Sequence, residues 1–185
     1  AVGPGNYQLT FTPAAGECAS QESTLVTVNS FVNVTLTPIG PFCSADPIVF
    51  LPTVQSGVSG FWSGPGVVAG DIFDPSQANI GINTLTFIPL SPCASIATTQ
   101  VQVTQTPVSI PVSDPLQSCS VGGNQAEFNL TQLNASIQGT SPGVVQWFTD
   151  ISLTNPILNP SEYISGSGFV IAVINNNGCL SLPVE

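Results

Sequence analysis

Closely spaced strand signals, dense glycine and proline punctuation, and one long internal repeat together predict an all-β chain. The expected architecture is a rod of tandem immunoglobulin-like antiparallel β-sandwich domains. The 185 residues include 17 glycines and 17 prolines, and 42% are hydrophobic. That is too apolar for a solvated, disordered tail. Abundant threonine, valine and isoleucine favour short strands joined by turns. No apolar run approaches the roughly 18 residues that span a bilayer, so no membrane insertion is expected. Ala1–Gly5 has neither the basic nor the apolar region of a signal peptide.

The repeat sets the boundaries. Leu9-Thr10-Phe11, Pro13, Cys18-Ala19-Ser20 and Val26/Val28 recur as Leu85-Thr86-Phe87, Pro89, Cys93-Ala94-Ser95 and Val101/Val103. The offset is 76 residues at the first strand (81 − 5) and 75 at the cysteine (93 − 18). This is too long for a solenoid unit and suits a string of small domains. Residues 1–28 read as the C-terminal strands of an incomplete Ig-like domain. Residues 29–105 read as a complete one. Residues 106–185 read as a second, divergent one lacking its last strand. The connections near Asn29-Ser30 and Gln105-Thr106-Pro107 are too short for free tumbling.

Within 29–105, strands are expected at Phe31–Thr37, Ile48–Leu51, Val58–Trp62, Asn83–Ile88 and Ala97–Thr104. Asn83–Ile88 and Thr99–Val103 alternate with period two, as half-buried strands do. Asp74 before Pro75 is a helix-start pair, with Asp74 as N-cap and proline at the first helical position. In 106–185, strands are expected at Gln125–Leu130, Val144–Phe148, Gly168–Ile174 and Cys179–Val184. Thr131–Ile137 reads as a short helix. Asn175-Asn176-Asn177-Gly178 reads as a hairpin turn.

Charge excludes whole classes of chemistry. The chain has no lysine, arginine or histidine, and its ten acidic residues give a formal net charge of −10. Charged residues are 5% of the chain, against roughly 25% in an ordinary domain. No side chain can clamp a phosphate, so nucleic acid is not an expected partner. Schiff bases, histidine triads and histidine zinc sites are all out of reach. No side-chain salt bridge can form, and trypsin has no cleavage site. Carboxylates that only repel one another are expected to have raised pKa values in the folded state.

Five cysteines stand at 18, 43, 93, 119 and 179. Cys43 precedes an early strand of its unit, and Cys93 follows the strand Asn83–Ile88. Cys119 and Cys179 hold comparable places in the next unit. Pairing within units therefore predicts Cys43–Cys93 and Cys119–Cys179, closing loops of 50 (93 − 43) and 60 (179 − 119) residues. Each bond would be worth about 4 kcal/mol by loop entropy. Cys18, which matches Cys93, would pair outside this sequence. The alternative is a metal or redox site, but no CxxC spacing and no histidine is present. One pair per unit implies an oxidising, extracellular setting.

Trp62 and Trp147 each lie between the two cysteines of their unit. They read as core residues on central strands, together with Phe87. The functional alternative is an exposed ring that stacks on sugar. Asp71 and Asp74 are the closest carboxylate pair and the one candidate for Ca²⁺, which needs six to eight oxygens. The competing reading is a turn Asp71 and a capping Asp74. No other cofactor is expected. No Asp-Thr-Gly or Asp-Ser-Gly is present, and the remaining carboxylates are scattered, so the chain is not expected to be an enzyme. Ser63, Ser165 and Ser167 sit among glycines with no base to activate them. Asn33, Asn129 and Asn134 fit the N-glycosylation sequon.

Three motif runs carry a family resemblance. They are Phe61-Trp62-Ser63-Gly64-Pro65-Gly66-Val67, Phe73-Asp74-Pro75-Ser76-Gln77-Ala78 and Gly81-Ile82-Asn83-Thr84-Leu85-Thr86-Phe87. They resemble a repeat of giant secreted surface proteins of Bacteroidetes, the gliding-motility adhesins and other type IX secretion cargo. The last unit resembles a companion repeat through Phe128-Asn129-Leu130-Thr131, Val145–Asp150, Asn155-Pro156-Ile157, Asn159-Pro160-Ser161 and Asn177-Gly178-Cys179. The resemblance implies a structural stalk or spacer of an extracellular, cell-surface adhesin or filament, and carries over no catalytic residue. The expected partners are neighbouring Ig-like repeats of the same or identical chains, as a homopolymer or one long multidomain chain, and surface polysaccharide. Chains completing one another by strand addition is one assembly route. The alternative function is a carbohydrate-binding module of a secreted protein.

Overall fold

A computed structural model describes residues 2–185. Its described residues form sixteen strands, two short 3₁₀ turns and one short α-helix, so the chain is all-β. The first two strands, β1 (Gly5–Phe11) and β2 (Glu22–Val28), make an antiparallel hairpin in unbroken register from Gly5 opposite Val28 to Phe11 opposite Glu22. They form a sheet of their own. Cross-strand hydrogen bonds from Thr27 to Asn6 and from Gln8 to Ser23 reinforce it.

Residues 29–105 contain eight strands. These are β3 (Phe42–Cys43), β4 (Val49–Phe50), β5 (Val54–Gln55), β6 (Val58–Ser63), β7 (Val67–Val68), β8 (Ile72–Phe73), β9 (Gly81–Pro89) and β10 (Ala97–Thr104). One sheet has the order β3-β10-β9-β6-β5 and the other β4-β8-β7. The alternation in β9 and β10 turns Leu85, Phe87, Val101 and Val103 into one core, where Trp62 of β6 and Phe73 of β8 meet them. Trp62 lies opposite Phe87 in the ladder, and the two rings meet edge to face at 5.4 Å. The indole Nε1 donates to the Pro52 carbonyl at 2.9 Å, so the buried ring keeps no orphan donor.

Gly66 follows the turn out of β6. Its φ of +79° suits glycine, and a Cβ there would stand 2.8 Å from both Phe73 Cε2 and Ala78 Cβ. Asp74 then caps the 3₁₀ turn Pro75–Gln77, accepting from the Ser76 N–H at 2.9 Å and its hydroxyl at 2.7 Å. Asn83, on β9, faces the core with its amide fully used by Asn79 and Gly81 backbone groups.

Residues 106–185 contain β11 (Ser120–Gly122), β12 (Gln125–Phe128), β13 (Val144–Phe148), β14 (Tyr163–Ser165), β15 (Ile171–Asn176) and β16 (Cys179–Leu180). They form two sheets, β11-β12-β14 and β13-β15-β16. A 3₁₀ turn at Leu130–Leu133 runs into α1 (Asn134–Gln138) and puts Leu130 and Ile137 onto a second core with Val145, Trp147, Ala172 and Ile174.

One strand expectation needs correcting. Phe31–Thr37 is not a strand: it holds one bridge at Val32 to Ala94. Hydroxyls take the amides a ladder would use, Val34 N–H donating to Ser95 and Thr35 N–H to Ser56. The expected strand at Cys179–Val184 is present along β15. After β16, Ser181 N–H donates to Ile174 O, and Ala172 and Val184 exchange both backbone bonds, so Cys179–Val184 lies along β15.

Trp62 is 2% exposed. Trp62→Ala should therefore lower unfolding stability by about 3–5 kcal/mol, read from urea midpoints at unchanged slope. A loss below about 1 kcal/mol would be that of a surface residue.

Candidate functional site

The most specific constellation in the chain is the junction between the two cored segments. β3 runs parallel to the end of β10, with Phe42 opposite Val103 and Cys43 opposite Thr104. Asp46 Oδ2 accepts the Cys43 N–H at 2.7 Å and orders the turn that follows. Ser44 N–H donates to the Thr104 carbonyl at 2.8 Å. Ser44 Oγ accepts the Thr106 N–H at 3.0 Å, while Thr106 Oγ1 accepts the Ala45 N–H at 3.1 Å. The chain leaving β10 is thus held against the Cys43 turn.

The other half comes from the β15–β16 hairpin. Asn177 and Gly178 both take positive φ, and Gly178 N–H donates to Asn175 Oδ1 at 2.8 Å. This turn aims Asn176 Nδ2 at the Gln105 carbonyl, 2.7 Å away. It also brings Cys179 to Cys43, and the two form a disulfide with Cα atoms 5.6 Å apart. The linker continues pinned on the far side. Val108 and Ser141 bond reciprocally, Ser109 Oγ donates to Leu182 O at 2.6 Å, and Ile110 N–H donates to Ile137 O.

This disulfide overturns the within-unit pairing. Cys43 bonds to Cys179, not Cys93, and Cys119 is not bonded to Cys179; Cys18, Cys93 and Cys119 are free thiols. The physical reason is strand direction. Cys43 lies beside the last residue of β10, at the downstream pole of its segment. Cys93 lies in the β9–β10 turn at the upstream pole, where its carbonyl accepts from Val32 N–H. The two stand at opposite ends of one fold. The hairpin cysteine of the following segment faces Cys43 instead.

Both tryptophans are buried. Trp147 is 4% exposed and donates to Asn134 Oδ1 at 3.0 Å, and Phe87 is fully buried. That Asn134 amide is therefore engaged, as is Asn129, which caps the 3₁₀ turn through Thr131 N–H; Asn33 is exposed. An apolar cleft of about 490 Å³ opens over the second core, lined by Val112, Leu116, Phe128, Trp147, Tyr163 and Val170, with Asp114 and Glu185 beside them. Asp74 spends its carboxylate on the cap, and the Asp71 carbonyl accepts from Leu51 N–H. Among the described residues, no cluster of three or more cysteine, aspartate or glutamate side chains could hold a metal. No described helix is long and apolar enough to cross a membrane.

Asp150 reverses the expected carboxylate behaviour. The Thr154 backbone N–H donates to it and does most to hold its pKa below the ordinary aspartate range, with the Thr154 hydroxyl and Asn155 N–H acting the same way. A search of known protein families and of curated proteins found no match to the chain.

Two outcomes are expected. Cys179→Ser removes a 136-residue covalent link, worth about 5 kcal/mol by loop entropy. Melting should then occur at lower temperature, with earlier hydrogen exchange at the Ser44 and Thr106 amides; unchanged exchange there would show that the bond does not hold the junction. For Asp150, a lowered folded pKa means its contribution is present above the unfolded value and lost as pH falls through the folded value. A carboxyl titration by NMR should place its midpoint below that of an unstructured aspartate, and a midpoint at or above it would contradict the Thr154 turn.

Proposed function

We propose that the chain is a mechanical segment of an extracellular cell-surface adhesin or filament, a stalk or spacer of disulfide-stapled Ig-like units. The observation that carries this reading is the path a pulling force takes. Tension entering upstream of Cys43 crosses the sulfur–sulfur bond to Cys179 and leaves toward Glu185. Residues 44–178, with most of both hydrophobic cores, lie outside that line. The hydrogen-bonded linker at 104–110 keeps the two segments in register. The two facing sheets in each segment support the Ig-like reading, and the disulfide supports an oxidising, extracellular location. The motif resemblance to secreted Bacteroidetes surface repeats points the same way.

The N-terminal hairpin supports assembly with neighbours. Its Leu9 and Phe11 are 57% and 62% exposed, whereas their repeat counterparts Leu85 and Phe87 are fully buried. β1 pairs with β2 alone, so its outer edge is open for strand addition from a like unit. The partners in this reading are Ig-like units of the same or identical chains, with no catalysis, cofactor or nucleic acid. A carbohydrate-binding module would stack sugar on exposed rings, and both tryptophans are buried.

Single-molecule stretching from the termini tests the reading. The oxidised chain should extend only through residues outside the staple. Reduction should release up to about 450–490 Å more, since the loop holds 136 residues at about 3.3–3.6 Å each. Equal extension in both states would refute the mechanical role of the bond. Saturable binding of a surface polysaccharide, lost on substitution of cleft residues such as Tyr163, would favour the module instead.

A further inference from the structure

The five cysteines fall into two structural kinds. Cys18, Cys93 and Cys179 each lie in or at the turn of an antiparallel hairpin, between β1 and β2, β9 and β10, and β15 and β16. Cys43 and Cys119 instead sit early in their segments, each followed by serine, 76 residues apart (119 − 43). That spacing equals the repeat offset at the first strand. The one bond present joins a member of each kind across a junction.

Cys119, like Cys43, stands away from the hairpin cysteine of its own segment. Ser109 bonds to Leu182, while Val112 and Leu116 share the cleft with Glu185. Ser118 and Ser120, on either side of Cys119, share a shallow cleft with Ser165 and Ser167, where the chain approaches the start of β15, whereas Cys179 follows the turn at the other end of β15. This takes Cys119 to the pole opposite Cys179, where it is exposed and free. Cys18 is the exposed free thiol of the hairpin kind, two residues after Gly16, whose φ is +98°. Cys93 is partly covered, and its carbonyl is held by Val32.

We propose that Cys43–Cys179 is the internal instance of a head-to-tail linkage. Cys119 is the open downstream half of the same linkage, and its partner is Cys18 of a second copy of this chain. The step needs a low-molecular-weight disulfide as oxidant, for which oxidised glutathione serves. The Cys119 thiolate attacks one glutathione sulfur and expels the other as a thiolate. The Cys18 thiolate then attacks the Cys119 sulfur and expels the second glutathione. Two protein thiols become one disulfide, and one oxidised glutathione becomes two reduced ones. This extends the mechanical reading from one chain to a series. It is read separately from the stretching experiment, because a lone chain keeps its internal staple whether or not copies join.

The test is the full chain incubated with a glutathione redox buffer at 0.15 M salt, which confines charge repulsion to about 8 Å. Non-reducing electrophoresis should show a ladder of multimers that grows with protein concentration. Peptide mass spectrometry after Glu-C and chymotrypsin digestion should find Cys119 joined to Cys18. The ladder should be lost in Cys119→Ser and in Cys18→Ser and retained in Cys93→Ser. All three variants should keep the wild-type melting curve, since none of these thiols is bonded or part of either buried core. A chain that stays monomeric overturns the proposal. So do an intramolecular Cys119–Cys18 bond, a symmetric Cys119–Cys119 bond, and a bond from Cys119 to Cys93.

Discussion

No carboxylate in this chain can meet a cationic side chain, and the structure is arranged around that constraint. Asp46, Asp74 and Asp150 each turn to backbone instead, taking the amides of Cys43, Ser76, and Thr154 with Asn155. A carboxylate that accepts N–H groups makes a charge-assisted bond and at the same time orders a turn. Ring and amide donors in the interior are matched by neutral groups: Trp62 by a carbonyl, Trp147 by Asn134, and Asn83 by its own neighbouring backbone. Among the described residues, no buried side-chain nitrogen or oxygen lacks a partner. Neutral pairing of this kind is insensitive to salt, unlike the ion pairs it replaces.

The same constraint explains why the junction depends on a covalent bond. Each core is small, built around one tryptophan and a handful of aliphatic side chains, with Phe73 and Phe87 added in the first. Small segments bury a modest fraction of their surface and stand near marginal stability. A disulfide within one segment would stabilise that segment alone. The Cys43–Cys179 bond encloses most of both cores in one loop, so neither can unravel fully while the other restrains its ends. Ser44 and Asn176 add hydrogen bonds to the linker at Thr106 and Gln105 beside that bond.

Much of this was legible wherever the signal is local. Asn83–Ile88 and Ala97–Thr104 announce themselves by alternation, because one face of each strand meets the core and the other meets water. Asp74-Pro75 is readable because a cap needs only a side chain and the amide two residues on. Asn175–Gly178 is readable because a tight turn demands positive φ at fixed positions. The failures are all long-range. Phe31–Thr37 has strand composition, but Ser95 and Ser56, distant in sequence, claim its amides. The cysteine connectivity depends on which end of its segment each thiol occupies, and that follows from strand direction rather than spacing. A unit-by-unit pairing assumed that cysteines of one repeat meet. At the junction the near neighbour of Cys43 belongs to the following segment.

Charge and staple also act together on assembly. Two chains of net charge −10 laid side by side bring their carboxylates into proximity along the whole contact. Repulsion of that kind grows with the length of overlap and has no compensating cationic side chain within either partner. Contact end to end engages only the acidic groups near the poles, and at physiological salt the rest are beyond the screening length. A uniformly anionic surface thus disfavours bundles far more than it disfavours series. It leaves direction to be decided at the poles, where a short list of specific groups (a hairpin cysteine, a strand-leading cysteine and the amides around them) can outweigh the residual repulsion. The composition that removes most binding chemistry from the sides of the proposed rod is therefore consistent with specificity concentrated at its ends.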